Sequence, residues 1–491
     1  MLDDSVKTIV GLEIHVQLQT ESKLFCRCAT QFGAPPNTLV CPVCLGEPGS
    51  LPVLNRRAIE LVILAGLAMN CRIELQPRWD RKHYFYPDLP KGYQISQWER
   101  PLCGEGFVDR IDLDHPERVH RVRIERAHLE EDAGKSLHGG SAEGTRIDLN
   151  RAGTPLLEIV TRPDLTSGSD ARSFLSELKL ILTDLGVSDC NMQEGNLRVD
   201  ANVNLQIDVP PAGHVTPIVE IKNLNSFRAV ERSIDYETGR QWAEWKDDRS
   251  RQAEMLKQTR GWDDAKGVTF LQRTKEQSAD YRYFPEPDLP PIALADAEIE
   301  SLRNTIGPLP SDVRRELLIR YALPPYDADV IVNQGRAFVA YFREVAEQVA
   351  DPRQAATWLQ QDILRTLNER QIRIDQYPLR PDRLARFLNQ LSQSKIPSAR
   401  ARDVLQQMVD QDLDVEQAIE QLEIVALSPQ DLDAVCQQVI DQHPKIAEQI
   451  RQGKTKAVGA LIGRARQLEP NADPQRIRRL LLKNLANPDS A

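Results

Sequence analysis

Val10-Gly11-Leu12-Glu13-Ile14-His15-Val16-Gln17-Leu18 puts Val10, Leu12, Ile14, Val16 and Leu18 on one face of a strand, and Glu13, His15 and Gln17 on the other. The same period returns in Leu197, Val199, Ala201, Val203, Leu205 and Ile207, which alternate with Arg198, Asp200, Asn202, Asn204 and Gln206. Between and after these lie Ile147-Asp148-Leu149-Asn150, Leu156-Leu157-Glu158-Ile159-Val160 and Val219-Glu220-Ile221-Lys222. The pattern predicts a largely antiparallel sheet, apolar on one face and rich in charge on the other. Helices are expected on the apolar face over Ala58–Met69 and over Ser169–Leu185, the second with Phe174, Leu178, Ile181, Leu182 and Leu185 as its stripe and Gly186 as its stop.

Glycine marks the domain plan. Of 25 glycines, 20 precede residue 293, and none lies between Arg336 and Gln452. The later part is therefore expected to be helical. The Pro-rich stretch Phe284–Pro291 is the main boundary, and a weaker one falls near Ser394–Ala399. The expected class is α+β. A cradle domain over 1–292 is followed by a helical domain over 293–402 and a small helical tail over 403–491. A length of 491 residues suits about three domains. Pro-Asp-Leu-Pro occurs at 87–90 and at 287–290. Each is read as a rigid turn, either with its carboxylate facing a shared site or as plain turn chemistry.

No basic-then-apolar leader is visible after Met1, and the apolar run Leu61–Met69 is short of the roughly 18 residues of a membrane span. Scattered thiols suggest a reducing, cytoplasmic setting, with a bacterial cytoplasm and an organelle both open. The net charge of -10 argues against an indiscriminate nucleic-acid coat. Yet Lys445–Lys483 holds ten Lys or Arg against three acids. Asp473-Pro474 fits a helix start, with Ile477, Leu480, Leu481 and Leu485 as its apolar stripe. Lys454, Lys456, Arg476 and Arg479 are the expected contacts to RNA phosphates, unless the charge is only solvated.

Four of eight cysteines fall within nineteen residues, as Cys26-Arg27-Cys28 and Cys41-Pro42-Val43-Cys44. This spacing suits a structural zinc ion held by four thiolates; small core residues or a disulfide are the alternatives. Two phosphate-loop resemblances fail, because Leu129 stands where Gly134-Lys135-Ser136 would need its first glycine and Asp109 stands where Gly104-Glu105-Gly106 would need its third. No nucleophile constellation stands out. On the polar sheet face, Glu, Asp, Asn and His oxygens and nitrogens suit a hard cation. Glu158 interrupts an apolar run and needs a cationic partner. Pattern alone leaves open a centre for Mg²⁺ on phosphate oxygens, with a lysine beside it, and a merely solvated face.

Gly11–His15, Cys41–Gly49, Tyr84–Gln94, His128–Lys135, Asn150–Val160, Glu194–Asp200, Glu220–Ser226 and Asp280–Pro290 together resemble the B-subunit family of tRNA-dependent amidotransferases, over essentially the whole chain. Arg464-Ala465-Arg466 departs from the Gln and Met common there. The resemblance implies a ligase working in a heterotrimer with the amidase (A) and small (C) subunits. It would act on Glu-tRNA(Gln), Asp-tRNA(Asn) or both. It would use ATP and Mg²⁺ to phosphorylate the side-chain carboxylate, which ammonia from glutamine then converts to the amide. It implies His15, Glu130 and Glu158 as magnesium ligands and Glu13 and Asp200 as further ligands. Lys91, Lys135 and Asp200 are implied at the phosphates, and Glu13, His15, Lys91, Glu130 and Glu158 in catalysis. A non-catalytic RNA-binding scaffold and a ligase fed by free ammonia are the competing classes.

Overall fold

The computed structural model describes residues 5–112, 115–138, 144–208, 213–247, 256–274, 280–424, 429–451, 457–469, 472 and 474–485. It divides into two compact units, Met1–Arg315 and Glu316–Ala491.

Among the described residues the first unit has fourteen strands: β1 (Val6–Gln17), β2 (Asp80–His83), β3 (Tyr93–Ser96), β4 (Gly106–Ile111), β5 (Val119–Glu131), β6 (Lys135–His138), β7 (Thr145–Asp148), β8 (Pro155–Thr161), β9 (Leu197–Ile207), β10 (His214–Val215), β11 (Val219–Leu224), β12 (Gln258–Asp263), β13 (Val268–Thr274) and β14 (Phe284–Pro285). Nine of them make one sheet in the order β13-β12-β11-β9-β1-β8-β5-β4, with β10 added to β9. Every pairing in it is antiparallel except β11 with β12. The expected sheet is therefore present, with one exception. Ile147 and Asp148 lie in β7, which pairs only with β6 in a separate ribbon. There the short strand is held by Asn37, whose side chain donates to the Ile147 carbonyl and whose backbone N–H donates to Asp148.

The alternation of β1 is realised in full. Val10, Leu12, Ile14 and Val16 are buried, while Glu13, His15 and Gln17 face the other way. Helices Arg56–Ala68, Gly168–Asp184 and Phe227–Asp247 cover the apolar face and complete one continuous core. The Asn55 side chain accepts from Arg57 N–H and Ser167 accepts from Asp170 N–H, so both of these helix starts are capped by short polar groups. Gly186, at φ +65, ends the second helix, as the sequence predicts.

The first unit runs past the composition boundary at 292. Ile299 and Ile306 enter its core, and Arg314 pairs with the buried Glu177 at 2.5 Å. In the second unit, the helix Val415–Gln421 packs with both Ala401–Gln411 and Pro381–Ser392. The tail helices Pro429–Gln442, Pro444–Arg451, Val458–Leu468 and Pro474–Leu485 have their own core, with Ile477, Leu481 and Leu485 buried and Leu480 half-buried. The core of the tail is thus drawn from residues 432–485. Asp473, the expected cap, lies outside the described residues.

Gly66 allows a close approach within its helix, because a Cβ there would meet the Cys103 sulfur at 2.4 Å. Gly239, also in a helix, has nothing within 4 Å of such an atom. Gly66→Ala should therefore destabilise the protein by about 1–3 kcal/mol through overpacking. Gly239→Ala should stabilise it by about 0.5–1 kcal/mol through helix propensity. Denaturation midpoints measure both, and a stabilised Gly66→Ala protein would contradict the packing described.

Candidate active site and cysteine cluster

Three adjacent strands bring the site together. His15 on β1 stands opposite Glu158 on β8, and Glu158 stands opposite His128 on β5. On β5, Glu130 shares a face with His128 because it is two residues on. His15 Nε2 lies 3.5 Å from Glu158 Oε2, His128 Nε2 lies 3.4 Å from the same oxygen, and Glu130 Oε2 lies 3.6 Å from His128 Nε2. The Ser96 hydroxyl donates to Glu130. Ligand atoms of His15, Glu130 and Glu158 all lie within 4.8 Å of one another, a fitting set for one divalent cation.

Burial alone would depress the His128 imidazole, but the Glu158 and Glu130 carboxylates outweigh it and raise it to about 9. Burial likewise opposes the charge of Glu158, and His128 and His15 nevertheless hold its carboxyl well below the usual range. His128 Nδ1 is buried and has no hydrogen-bond partner.

A second trio adjoins along the same face. Glu13 stands opposite Asp200 on β9, and with Glu220 on β11 they offer oxygens within 4.8 Å of one another. Lys222 already reaches in, 2.5 Å from Asp200 and 2.8 Å from Glu220. The Asn202 side chain donates to Glu13.

Of the expected site residues, the structure gathers His15, Glu130 and Glu158 in one cluster and Glu13 with Asp200 in the next. It does not gather the two lysines. Lys91 is committed to Glu131, in a cavity lined also by Cys44 and Asp288. The exposed Lys135 lines a different cavity, with Gln17, Asp148, Asn150, Arg151, Glu194 and Asn196. The two Pro-Asp-Leu-Pro turns do not share a carboxylate site either. Asp88 accepts from Ser136 and Asp288 from Arg81, while Leu89 and Leu289 plug inward. Lys454 and Lys456 lie outside the described residues; Arg479 is exposed and Arg476 is half-buried on the last helix.

Sequence reasoning missed His128, Glu220 and Lys82. The parity of His128 with Glu130 and of Glu220 with Lys222 was a usable signal for the first two. Lys82 sits on β2, in a small sheet with β3 and β14. Burial opposes its charge, yet Glu130 and Glu158 raise its affinity for a proton, which places its ammonium in the field of the cluster.

The four clustered cysteines are also together, with all sulfurs within 4.8 Å and Cys41 and Cys44 at 3.9 Å. That is close to the spacing of a tetrahedral thiolate site. The hydrogen bond from Cys26 and its own burial act oppositely on Cys44, and the bond prevails, lowering that thiol to about 4. The buried Lys23 donates to the Leu39 carbonyl at 2.8 Å and ties the loop down.

A charged sheet face carrying a histidine–carboxylate centre, beside a cysteine-stapled loop and ahead of helical domains, defines a class of catalytic subunit. Residues 8–300 match the GatB/GatE catalytic domain family and residues 340–485 match the GatB domain family, so the chain belongs to the GatB family. It is 52% identical, over 98% of its own length and 97% of the relative's, to the B subunit of the aspartyl/glutamyl-tRNA(Asn/Gln) amidotransferase of Rhodopirellula baltica. The B subunits of Caldicellulosiruptor saccharolyticus and Thermosynechococcus vestitus are 43% and 42% identical, over 98% and 99% of this chain and 99% and 97% of theirs.

Purified protein should carry about one zinc per chain. Chelation or Cys44→Ser should lower the unfolding midpoint while leaving the histidine–carboxylate centre intact. Metal-free protein of full stability with four reactive thiols would refute the zinc assignment.

Proposed function

We propose that this chain is the B subunit of an aspartyl/glutamyl-tRNA(Asn/Gln) amidotransferase, and that it converts Glu-tRNA(Gln), Asp-tRNA(Asn) or both into the amides in a heterotrimer with the amidase (A) and small (C) subunits. The observation that carries the catalytic part is the Glu158 carboxylate, placed between two imidazoles on an otherwise apolar strand. No helix among the described residues is long and apolar enough to cross a membrane, and work on tRNA in the cytoplasm is consistent with that.

The chemistry makes specific demands. A free carboxylate is a poor acyl donor, so ATP must convert it to an acyl phosphate before ammonia can displace phosphate. His15, Glu130 and Glu158 would hold Mg²⁺, which screens charge between the phosphate oxygens and the incoming carboxylate. Glu13, Asp200 and Glu220 form the adjoining acidic trio, where a second cation would have to displace the Lys222 ammonium. Ammonia comes from glutamine in the amidase partner, which fits the absence of a nucleophile constellation here. The cysteine loop keeps Lys91 and its Glu131 partner in a fixed cavity beside the sheet. The tail gives tRNA affinity through phosphate contacts at Arg476, Arg479, Lys454 and Lys456.

Glu158→Gln keeps the shape and removes the charge. In the assembled complex it should reduce ATP-dependent amidation at least about a thousandfold and leave glutamine hydrolysis by the partner within about twofold. Normal acyl-phosphate formation by this variant would overturn the site assignment. Truncation after Gln442 should raise the tRNA concentration needed and flatten the salt dependence of binding, with turnover at saturating tRNA preserved. Unchanged tRNA binding across a salt series would remove the tail from the RNA interface.

A further inference from the structure

The alternation of β5 changes phase within the strand. Val122 and Ile124 point into the core, and so do Ala127 and Leu129. The register explains the shift, since Ile124 stands opposite Thr161 and Arg126 opposite the adjacent Val160, leaving Glu125 as an extra residue. A bulge of this kind re-aims the side chains that follow it. Here it turns Arg126 onto the face of His128 and Glu130.

Arg126 is held there without a counter-ion. Its guanidinium carbon lies 4.9 Å from the centre of the Trp98 ring, and Trp98 stacks on Tyr283 at 4.8 Å and 12°. Tyr283 meets Tyr281 at 6.1 Å, and the Lys82 ammonium lies 5.1 Å from the Tyr281 ring centre. The ladder Arg126–Trp98–Tyr283–Tyr281–Lys82 thus carries a cation at each end. Four nearby cations are paired: Lys91 with Glu131, Arg198 with Asp132, Lys222 with Asp200, and Arg81 with Glu286. Among the described residues, neither Arg126 nor Lys82 has a carboxylate within 4.0 Å, and Arg126 Nε is buried with no hydrogen-bond partner. Arg126 is half-buried, so its guanidinium is only partly solvated, and its planar fork suits phosphate oxygens. The aromatic faces hold both cations in place without neutralising them.

We propose that Arg126 and Lys82 form the clamp for the transferred phosphoryl group, facing the oxygens that the His15–Glu130–Glu158 centre does not reach. The inference rests on the ATP-dependent reading above. In that step a side-chain carboxylate oxygen forms a bond to the γ-phosphorus. The bond from phosphorus to the β,γ-bridging oxygen breaks, and its electron pair leaves with ADP. The clamp meets the three equatorial oxygens of the transferred group, where negative charge is spread in the transition state.

The test uses the assembled heterotrimer and two probes, ADP and a β,γ-imido ATP analogue, with binding measured by calorimetry at fixed Mg²⁺. Arg126→Gln and Lys82→Met should each weaken the analogue at least about tenfold and ADP by no more than about twofold. Glutamine hydrolysis should be unchanged, which reports assembly. Equal loss of both probes, or loss of neither, overturns the clamp. Should Arg126→Gln fail to assemble, Arg126→Lys keeps the charge and loses the fork. It should still lower the analogue-to-ADP affinity ratio at least about threefold, and an unchanged ratio overturns the proposal. The underlying reading fails separately: the parent complex would then bind the analogue and discriminate through Arg126, yet form no acyl phosphate on aminoacyl-tRNA.

Discussion

Glu158 is the residue on which the arrangement depends. It is the one acid in Pro155–Thr161, a strand buried almost throughout, and it is flanked in register by His15 on one side and His128 on the other. A carboxylate there is tolerable only because cationic partners surround it. Two antiparallel registers must be correct at once to supply them. A slip of one residue in either pairing would send an imidazole into the core and bring an apolar neighbour, Ile14 or Val16 on one side and Ala127 or Leu129 on the other, to the acid. The stability of the sheet and the assembly of the site are thus one requirement, enforced by the apolar face that packs beneath.

Much of this was legible in the chain. The period-two pattern of Val10–Leu18 and of Leu197–Ile207 fixed which residues share the polar face, and Glu158 announced itself by interrupting Leu156–Val160. The cysteine spacing likewise pointed to four converging sulfurs, and they converge. What was not legible depends on pairings between distant segments. Lys82 is carried by a small sheet that joins Asp80–His83 to Phe284–Pro285, and no local pattern reveals that partner. Lys91 likewise gains a partner, Glu131, that no local pattern reveals.

Parity read too strictly also misleads. Arg126 would lie on the core side of β5 if the alternation of Val122 and Ile124 simply continued, and only the bulge at Glu125 moves it. In retrospect the apolar set Val122, Ile124, Ala127, Leu129 carries that phase change, because its middle spacing is three rather than two. The same caution applies to composition. Glycine loss marks where helices dominate, yet Ile299, Ile306 and Arg314 belong to the first unit because their partners are there.

The position of β1 in the sheet also sets a timetable for synthesis. Val6 pairs with Ile207 and Gln17 with Leu156, so β1 is made well before either of its partner strands. At roughly 5–20 residues per second, that is a wait of about ten to forty seconds on the ribosome. During it β1 presents two open edges, the usual invitation to aggregation. Glu13, His15 and Gln17 make one face of the waiting strand charged or polar, and such a strand is a poor template for like copies of itself. The residues that assemble the reaction centre are thus also the ones that keep one face of the waiting strand polar.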